Sequence, residues 1–400
     1  MKSKPQIFAF FSGAGFLDLG FELSGYSIVF VNEFHEPFLK AYKHSRRVLG
    51  IEEPKFGYSG DSITKFIDDE TEHKRLAKMV ESAKATGELV GFIGGPPCPD
   101  FSVGGKNRGR HGENGKLSAT YVHLICEQKP DFFLFENVKG LWRTKRHREF
   151  FEELKRKLHA AGYRTTERLI NCINYGVPQD RERIILLGFR GDSEPRVPNG
   201  GIALSAVPFP WTRHEKYSDE RLSQVCWPST RRFHRGRQLA MPDGVPRELT
   251  VEYWFRKNKV ETHPNSSHQF QPRAGLARFE SVDEGDDSKK SFKRLHRWRY
   301  SPTACYGNNE VHLHPYEARR ITVAESLAIQ SLPSKFELPA DMSLSNMFKT
   351  VGNGVPFLAA KALAKSILEF IKENHEADGF KFTSCDSRAS ERTGIQLHRP

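Results

Sequence analysis

The 400-residue chain is poor in cysteine and methionine, with six and five of each. The cysteines (Cys98, Cys126, Cys172, Cys226, Cys305 and Cys385) are scattered and form no CxxC pair. This argues against a zinc site and against a disulfide framework, so a reducing cytoplasm is expected. A run of about 18 apolar residues is missing, and with it the expectation of a membrane-spanning helix. The start, MKSKPQIFAFFSGAG, is basic and then apolar, as a secretion signal would be. Its apolar stretch is short and runs straight into glycines, so it reads as a first strand. No internal repeat is found. Acidic residues are outnumbered, 49 against 61 Lys and Arg, for a net charge of +12. That surplus suits a polyanionic partner, either nucleic acid or an anionic membrane surface.

What is present is alternation. QIFAFF (6–11), SIVFVNEF, LVGFIGG (89–95), DFFLFENV (131–138) and RIILLGF (183–189) read as strands. FLDLGFELSG, KLSATYVHLICEQKP (116–130) and HREFFEELKRKLHAAGY read as helices between them. Strands alternating with helices imply an α/β, doubly wound and largely parallel sheet. From 190 to 300 the periodicity fades. That stretch holds 21 Lys and Arg against 14 Asp and Glu, a net of +7, so about a quarter of the chain carries more than half of the surplus. Helical patterning returns in TVAESLAIQSL (322–332) and PFLAAKALAKSILEFIKENH (356–375), and the tail beyond 379 has little pattern.

Five short segments could carry chemistry. In FFSGAGFLDLGFE (10–22) a strand enters a turn with Gly13 and Gly15, and a helix leaves it. Such a turn brings backbone N–H groups to a ligand, although a plain tight connection would look the same, and the spacing is not GxGxxG. Glu33 ends the next strand about 20 residues on, where nucleoside-binding folds place a carboxylate on ribose hydroxyls. Asp61, in SGDSI, could read an exocyclic amine or cap a helix. In GGPPCPDFSVGGKNRG, prolines fix the backbone around Cys98, as a positioned nucleophile requires. The glycines after it (104, 105, 109, 112, 115) are interspersed with Lys106, Arg108, Arg110 and Lys116. That reads as a cationic lid, or else as a linker with a chance cysteine.

Glu136 and Asn137 end a very apolar strand, where burial would favour a protonated carboxyl able to donate to a ring. In VPQDRERIILLGFR (177–190), Arg181 and Arg183 alternate, so both are expected on one face, open to an anion or to Glu136. KTVGNGVPF (349–357) is a further glycine turn before a helix.

In this order, FSGAG, PPC, ENV, QDRER, HPYEARRITVAESLAIQSLP and GNGVP resemble the motifs of the (cytosine-5) DNA methyltransferase family. The resemblance spans most of 6–190 and 300–370. It implies an S-adenosylmethionine-dependent methyltransferase fold, Rossmann-like, with a smaller, mostly irregular and β target-recognition domain. The expected bounds are 1–190 completed by 335–378 for catalysis, 191–334 for recognition and 379–400 for the tail. It implies S-adenosylmethionine as cofactor, S-adenosylhomocysteine as product and no metal. It implies double-stranded DNA as partner, a flipped-out target cytosine, no membrane and a monomer. A cognate restriction endonuclease is then a functional partner.

Carried over residue by residue, Cys98 is the nucleophile toward cytosine C6. Glu136 would hold or protonate N3, Arg183 would donate to O2, and Arg181 would prop Glu136 or the loop. Phe11, Ser12, Gly13, Ala14, Gly15, Phe16 and Leu17 would surround the methionine part. Glu33 would take the ribose, Phe34 the adenine face and Asp61 the adenine amine. Ser62, Pro97, Leu117, Asn353 and Val355 would complete the pocket. Ser102, Gly104, Lys106 and Arg108 of the loop, with Arg231, Arg232, Arg235, Arg237 and Arg297, are the candidate DNA contacts. Two departures are visible. Gly104 stands where some relatives place a side chain that fills the flipped-base gap. Ser62 stands where an apolar residue is commoner. An RNA cytosine-5 methyltransferase of the same fold and a catalytically silent DNA-binding module are the alternatives. The first usually carries a cysteine-phenylalanine-threonine signature that this chain lacks, and the second has no need of Cys98, Glu136 and Arg183 together.

Overall fold

The computed structural model describes residues 4–97, 113–191, 207–272, 276–289, 291–306, 311–376 and 379–380. Seven strands form one sheet: β1 (Gln6–Phe10), β2 (Ser27–Asn32), β3 (Tyr58–Ser59), β4 (Val90–Gly94), β5 (Phe132–Val138), β6 (Tyr163–Asn171) and β7 (Glu182–Arg190). Their order is β3-β2-β1-β4-β5-β7-β6. β1 to β5 pair in parallel, and β7 runs antiparallel to both neighbours. The reversal is local in origin. Only residues 172–181 join β6 to β7, too few for a parallel crossover.

The near-continuous apolar strands follow from burial on both faces. Ile7 and Ala9 of β1 and Phe132 and Leu134 of β5 join one core cluster. Phe8 and Phe10, with Phe133 and Phe135, join the other. This is the two-residue period of a strand seen from both sides. The large rings need room beside them: a Cβ on Gly188, which pairs with Phe133, would meet that ring at 2.1 Å.

On the first face lie helices α1 (Phe16–Glu22) and, at the far end of the chain, the long terminal helix Phe357–Asn374. Between them in sequence come α2 (Glu36–Leu49), α3 (Lys65–Asp68), α4 (Glu70–Lys84), α5 (Glu113–Gln128), α6 (Lys139–Arg143) and α7 (Lys145–Ala160). α4, α5 and α7 cover the second face through Leu76 and Val80, Tyr121 and Ile125, and Phe151 and Leu154. The polar-looking β6 and α4 have no counterpart among the expected elements. β6 alternates half-buried Thr, Glu and Arg, and only β7 on its other side makes it a strand.

Beyond 207 regular structure is sparse: α8 (Asp219–Ser223), α9 (Val251–Lys257), α10 (Leu276–Glu280), α11 (Val323–Ile329), α12 (Leu344–Asn353) and then α13 (Phe357–Asn374). The β content among the described residues of 207–320 is isolated bridges such as Arg231 with Glu284 and Arg294 with Leu313. A single side chain does much of the joining. The buried Arg294 donates from Nε to the Val282 carbonyl at 2.7 Å, from Nη1 to the Glu317 and His314 carbonyls, and from Nη2 to that of Phe279. A third core joins α9, α11 and α12 to Phe16 and Leu19 of α1 and Phe38 and Ala41 of α2. It draws residues from both sides of the boundary expected at 334.

Candidate active site

A cleft of about 1300 Å³ opens at the carboxyl ends of the strands, between the sheet and described residues such as Gly285, Lys293, Arg299, Tyr306 and His312. The first glycine turn lies on its floor. Phe11 (φ 54°) and Gly13 (φ 56°) both take left-handed backbone there, and for Phe11 that is a strained conformation of the kind found at ligand sites. The strain turns Gly13 N toward Glu33, whose Oε2 accepts at 2.8 Å while Oε1 accepts from His35 N at 2.8 Å. Burial raises the Glu33 carboxyl, and those two N–H groups pull it back. Next to it Phe34 is 71 % exposed although it lines the cleft. A large bare ring beside a carboxylate fits a planar base and its ribose.

Gly15 is not part of the lining. It begins α1 with φ 78°, and a Cβ there would meet Tyr42 and the Arg46 guanidinium within 2.6 Å. Arg46 donates to the Gly15 carbonyl at 2.7 Å and the Ala14 carbonyl at 3.3 Å, and pairs with Glu22 at 3.0 Å. It is a buried brace under the turn. In sequence, HSRRVLG reads as an ordinary basic helix end, so nothing local announced it. Among the described residues, five side chains that line the cleft have a buried polar atom with no hydrogen bond within 3.5 Å: Ser12 Oγ, Asp18 Oδ2, His35 Nδ1, His296 Nε2 and Thr350 Oγ1. Burial pushes the Asp18 carboxyl up to about 7 against the pull of Arg46. Unsatisfied polar atoms of this kind are costly unless a ligand meets them.

At the centre of the cleft Glu136 meets Arg183. Glu136 pairs across to Ile185 and Val138 to Arg183, so the acid and the guanidinium are diagonal neighbours on one face of an antiparallel pair. Arg183 Nε lies 2.7 Å from Glu136 Oε1, and both side chains are about nine-tenths buried. Burial raises the Glu136 pKa; Arg183, then Arg181, oppose it. Glu136 also reaches the turn that carries Pro97. A Cβ on Gly95 would stand 2.6 Å from Glu136 Oε2, and Asn137 donates to the Pro96 carbonyl at 3.5 Å.

Arg181 sits close enough for its charge to oppose the rise in the Glu136 pKa. It makes no hydrogen bond to Glu136. Its buried guanidinium donates to the Gly352 carbonyl at 2.7 Å and the Ala304 carbonyl at 3.1 Å. β7 pairing starts only at Glu182, so strand alternation does not reach Arg181. It ties the active-site strand to the GNGVP turn.

Ala14, Phe16, Leu17, Ser62, Pro97, Leu117, Asn353 and Val355 line the cleft as expected. Asp61 does not; its Oδ1 lies 3.2 Å from Lys65. Beside Ser62, the buried Ile63 supplies the apolar wall that Ser62 seemed to remove. Cys98, Ser102, Gly104, Lys106 and Arg108 lie outside the described residues. Arg232, Arg235 and Arg237 are exposed and Arg231 is half-buried. Arg297 is a correction. It is buried, and its Nε and Nη2 grip the two Glu284 oxygens at 2.8 and 3.0 Å. Within the same basic run Lys293 and Arg299 line the cleft instead. Among the described residues no His, Cys, Asp and Glu group could hold a metal ion, and no helix is long and apolar enough to cross a membrane.

A family model described as C-5 cytosine-specific DNA methylase matches residues 6–369. The chain is 58% identical over 375 residues to Type II methyltransferase M.NmeDI of Neisseria meningitidis serogroup C, covering 94% of this chain and 86% of that one. It is 28% identical to Type II methyltransferase M.FnuDI of Fusobacterium nucleatum, covering 93% and 96%. A solved structure described as a prophage-encoded DNA modification methyltransferase (E. coli) matches with a TM-score of 0.60 at 19% identity, over 92% of this chain and 100% of that one, a likeness of fold.

Proposed function

The chain belongs to the C-5 cytosine-specific DNA methylase family and is a DNA (cytosine-5-)-methyltransferase, and we propose that Cys98, Glu136 and Arg183 carry its reaction. The observation that supports this assignment is the buried Glu136–Arg183 pair, set against Gly95 three residues before Cys98 and sharing one cleft with Glu33 and Phe34.

Cytosine C5 is a weak nucleophile. Cys98 thiolate adds to C6, and the displaced electron pair moves through the ring toward N3. Glu136, whose pKa burial raises, donates a proton to N3, and Arg183 donates to O2. C5 of the resulting enamine accepts a methyl group. Loss of the C5 proton then expels the thiolate and restores the ring. The target must leave the duplex to reach this buried pair.

Bound S-adenosylmethionine would supply the electrophilic methyl group. The residues present fit it. Glu33 would hold the ribose, Phe34 the adenine face, and the buried polar atoms of Ser12, Asp18 and Thr350 the methionine end. Residues 1–190 with 335–378 would form the catalytic domain and 191–334 the recognition domain. The names of the relatives support a place in a type II restriction-modification system. In that setting the protein works as a monomer in the bacterial cytoplasm, at the nucleoid, beside a cognate endonuclease.

The test is a duplex carrying 5-fluorocytosine, whose C5 cannot lose a proton. The wild type should form a covalent protein–DNA adduct that Cys98→Ala abolishes. An adduct that survives Cys98→Ala would overturn the assignment. Bisulfite sequencing of plasmid DNA made with the protein then locates the methylated cytosine.

A further inference from the structure

The mechanism above leaves unused the cations that follow Glu136. Residues 139–148 hold Lys139, Arg143, Lys145, Arg146 and Arg148 and no acidic residue. The fold puts them beside the active site. α6 leaves the carboxyl end of β5, and Lys139 and Gly140 line the cleft together with Glu136. α7 starts at that same edge of the sheet and runs away from it, because β6 must begin at the opposite edge. The basic run therefore continues the rim of the cleft outward.

Only part of this charge is answered. Glu182, on β7, takes both Lys139 and Arg143, the latter at 3.5 Å. Arg148 lies flat over the half-buried Trp142, its guanidinium carbon 3.8 Å from the ring centroid. That stacking orders the side chain without neutralising it. Lys145 and Arg146 are exposed, and neither makes an ion pair among the described residues. Lys145 and Arg146 do not stabilise the helix that carries them. The first turn of α7 holds no acid, so these cations stand at the positive end of the helix dipole, where they repel it. A rule broken locally without compensation in the fold points to a partner outside it.

We propose that Lys145, Arg146 and Arg148, with Lys139 and Arg143 at their inner end, form a sequence-independent landing surface for the phosphates of duplex DNA flanking the target cytosine. The inference rests on the DNA-methylating reading above. The chemistry is charge complementarity alone. Glu182 is the one carboxylate that pairs with these five cations among the described residues, the acids of α7 (Glu149, Glu152, Glu153) beginning only after the basic run, and the surface is continuous with the cleft.

The test is a Lys145→Gln/Arg146→Gln/Arg148→Gln variant, with Lys145→Arg/Arg146→Lys/Arg148→Lys as the charge-preserving control. Binding to a short duplex of arbitrary sequence is followed across a KCl series, and labelled methyl transfer is measured on plasmid DNA. Each lost phosphate contact lowers the magnitude of the log–log salt slope by about 0.9, so the neutral variant should lose about 2 to 3 and the control almost nothing. The KM for DNA should rise while kcat at saturating DNA and the methylated position stay unchanged. An unchanged salt slope, or a loss of affinity confined to plasmid carrying the target site, would overturn the landing surface. Failure of the wild type to methylate plasmid cytosine would instead overturn the functional reading on which it rests.

Discussion

Around Phe10 the sheet buries ring against ring, with Phe92 at 5.1 Å and Tyr121 at 5.7 Å between centroids. Around Arg294 the stretch from 207 to 320 buries charge against carbonyl oxygen, four of them on one guanidinium. The first region is stable because apolar area leaves water on both faces of a ladder. The second has few ladder bonds, so its backbone groups are satisfied by arginine, histidine and asparagine side chains drawn from far along the chain.

The strongest burial shifts fall on different groups in the two regions, carboxyls in one and imidazoles in the other. In the sheet half, burial raises the carboxyls of Asp18, Glu22, Glu33 and Glu136. In the other half, burial lowers His296 to about 4 and both His312 and His314 to about 3. A raised carboxyl contributes stability that is fully present below its unfolded pKa and lost as pH rises through the folded value. A lowered imidazole contributes stability that is present above about 6.5 and lost as pH falls toward the folded value.

The largest effect that would sharpen the contrast is Arg297→Ala. It strands Glu284 as a buried unpaired carboxylate, and urea denaturation should show a loss of about 3–5 kcal/mol. A loss no greater than that of an exposed arginine would break the comparison.

Next comes pH. Hydrogen exchange at about pH 5 should open 291–316 before the sheet, and at about pH 9 the segment around α1 should open first. Asp18→Asn should flatten the rise of instability between pH 3.8 and about 7 and leave the acid limb untouched. Acid opening that begins at α1 would reverse the assignment.

The smallest expected effect is Arg232→Ala. Its side chain is exposed, so the unfolding midpoint should not move, while the salt slope of DNA binding should fall by about 1. A shifted midpoint would place Arg232 with Arg297, inside the fold.

Much of the sheet half was legible because its signals are local. The apolar strands, the glycine turn after β1, and Glu136 at a strand end each occupy a few contiguous residues. β6 and α4 were not, since their polar sequences become strand and helix only against β7 and β4. In the site, the Glu136–Arg183 pair was readable from two motifs. Arg46 was not, because its partners are the Gly15 and Ala14 carbonyls some thirty residues away.

By itself the sequence determined which chemical groups arrive at the carboxyl edge of the sheet: the carboxylate of Glu33 and the acid of Glu136, each at a strand end. Chain order and the two-residue strand period suffice for that. Only the tertiary structure decided which like residues do which work. Arg183 faces Glu136 while Arg181 faces Gly352, and Arg297 is locked on Glu284 while Arg232 is exposed. The reason is burial. A guanidinium is structural or functional according to the carbonyls and carboxylates that surround it, and those come from distant parts of the chain.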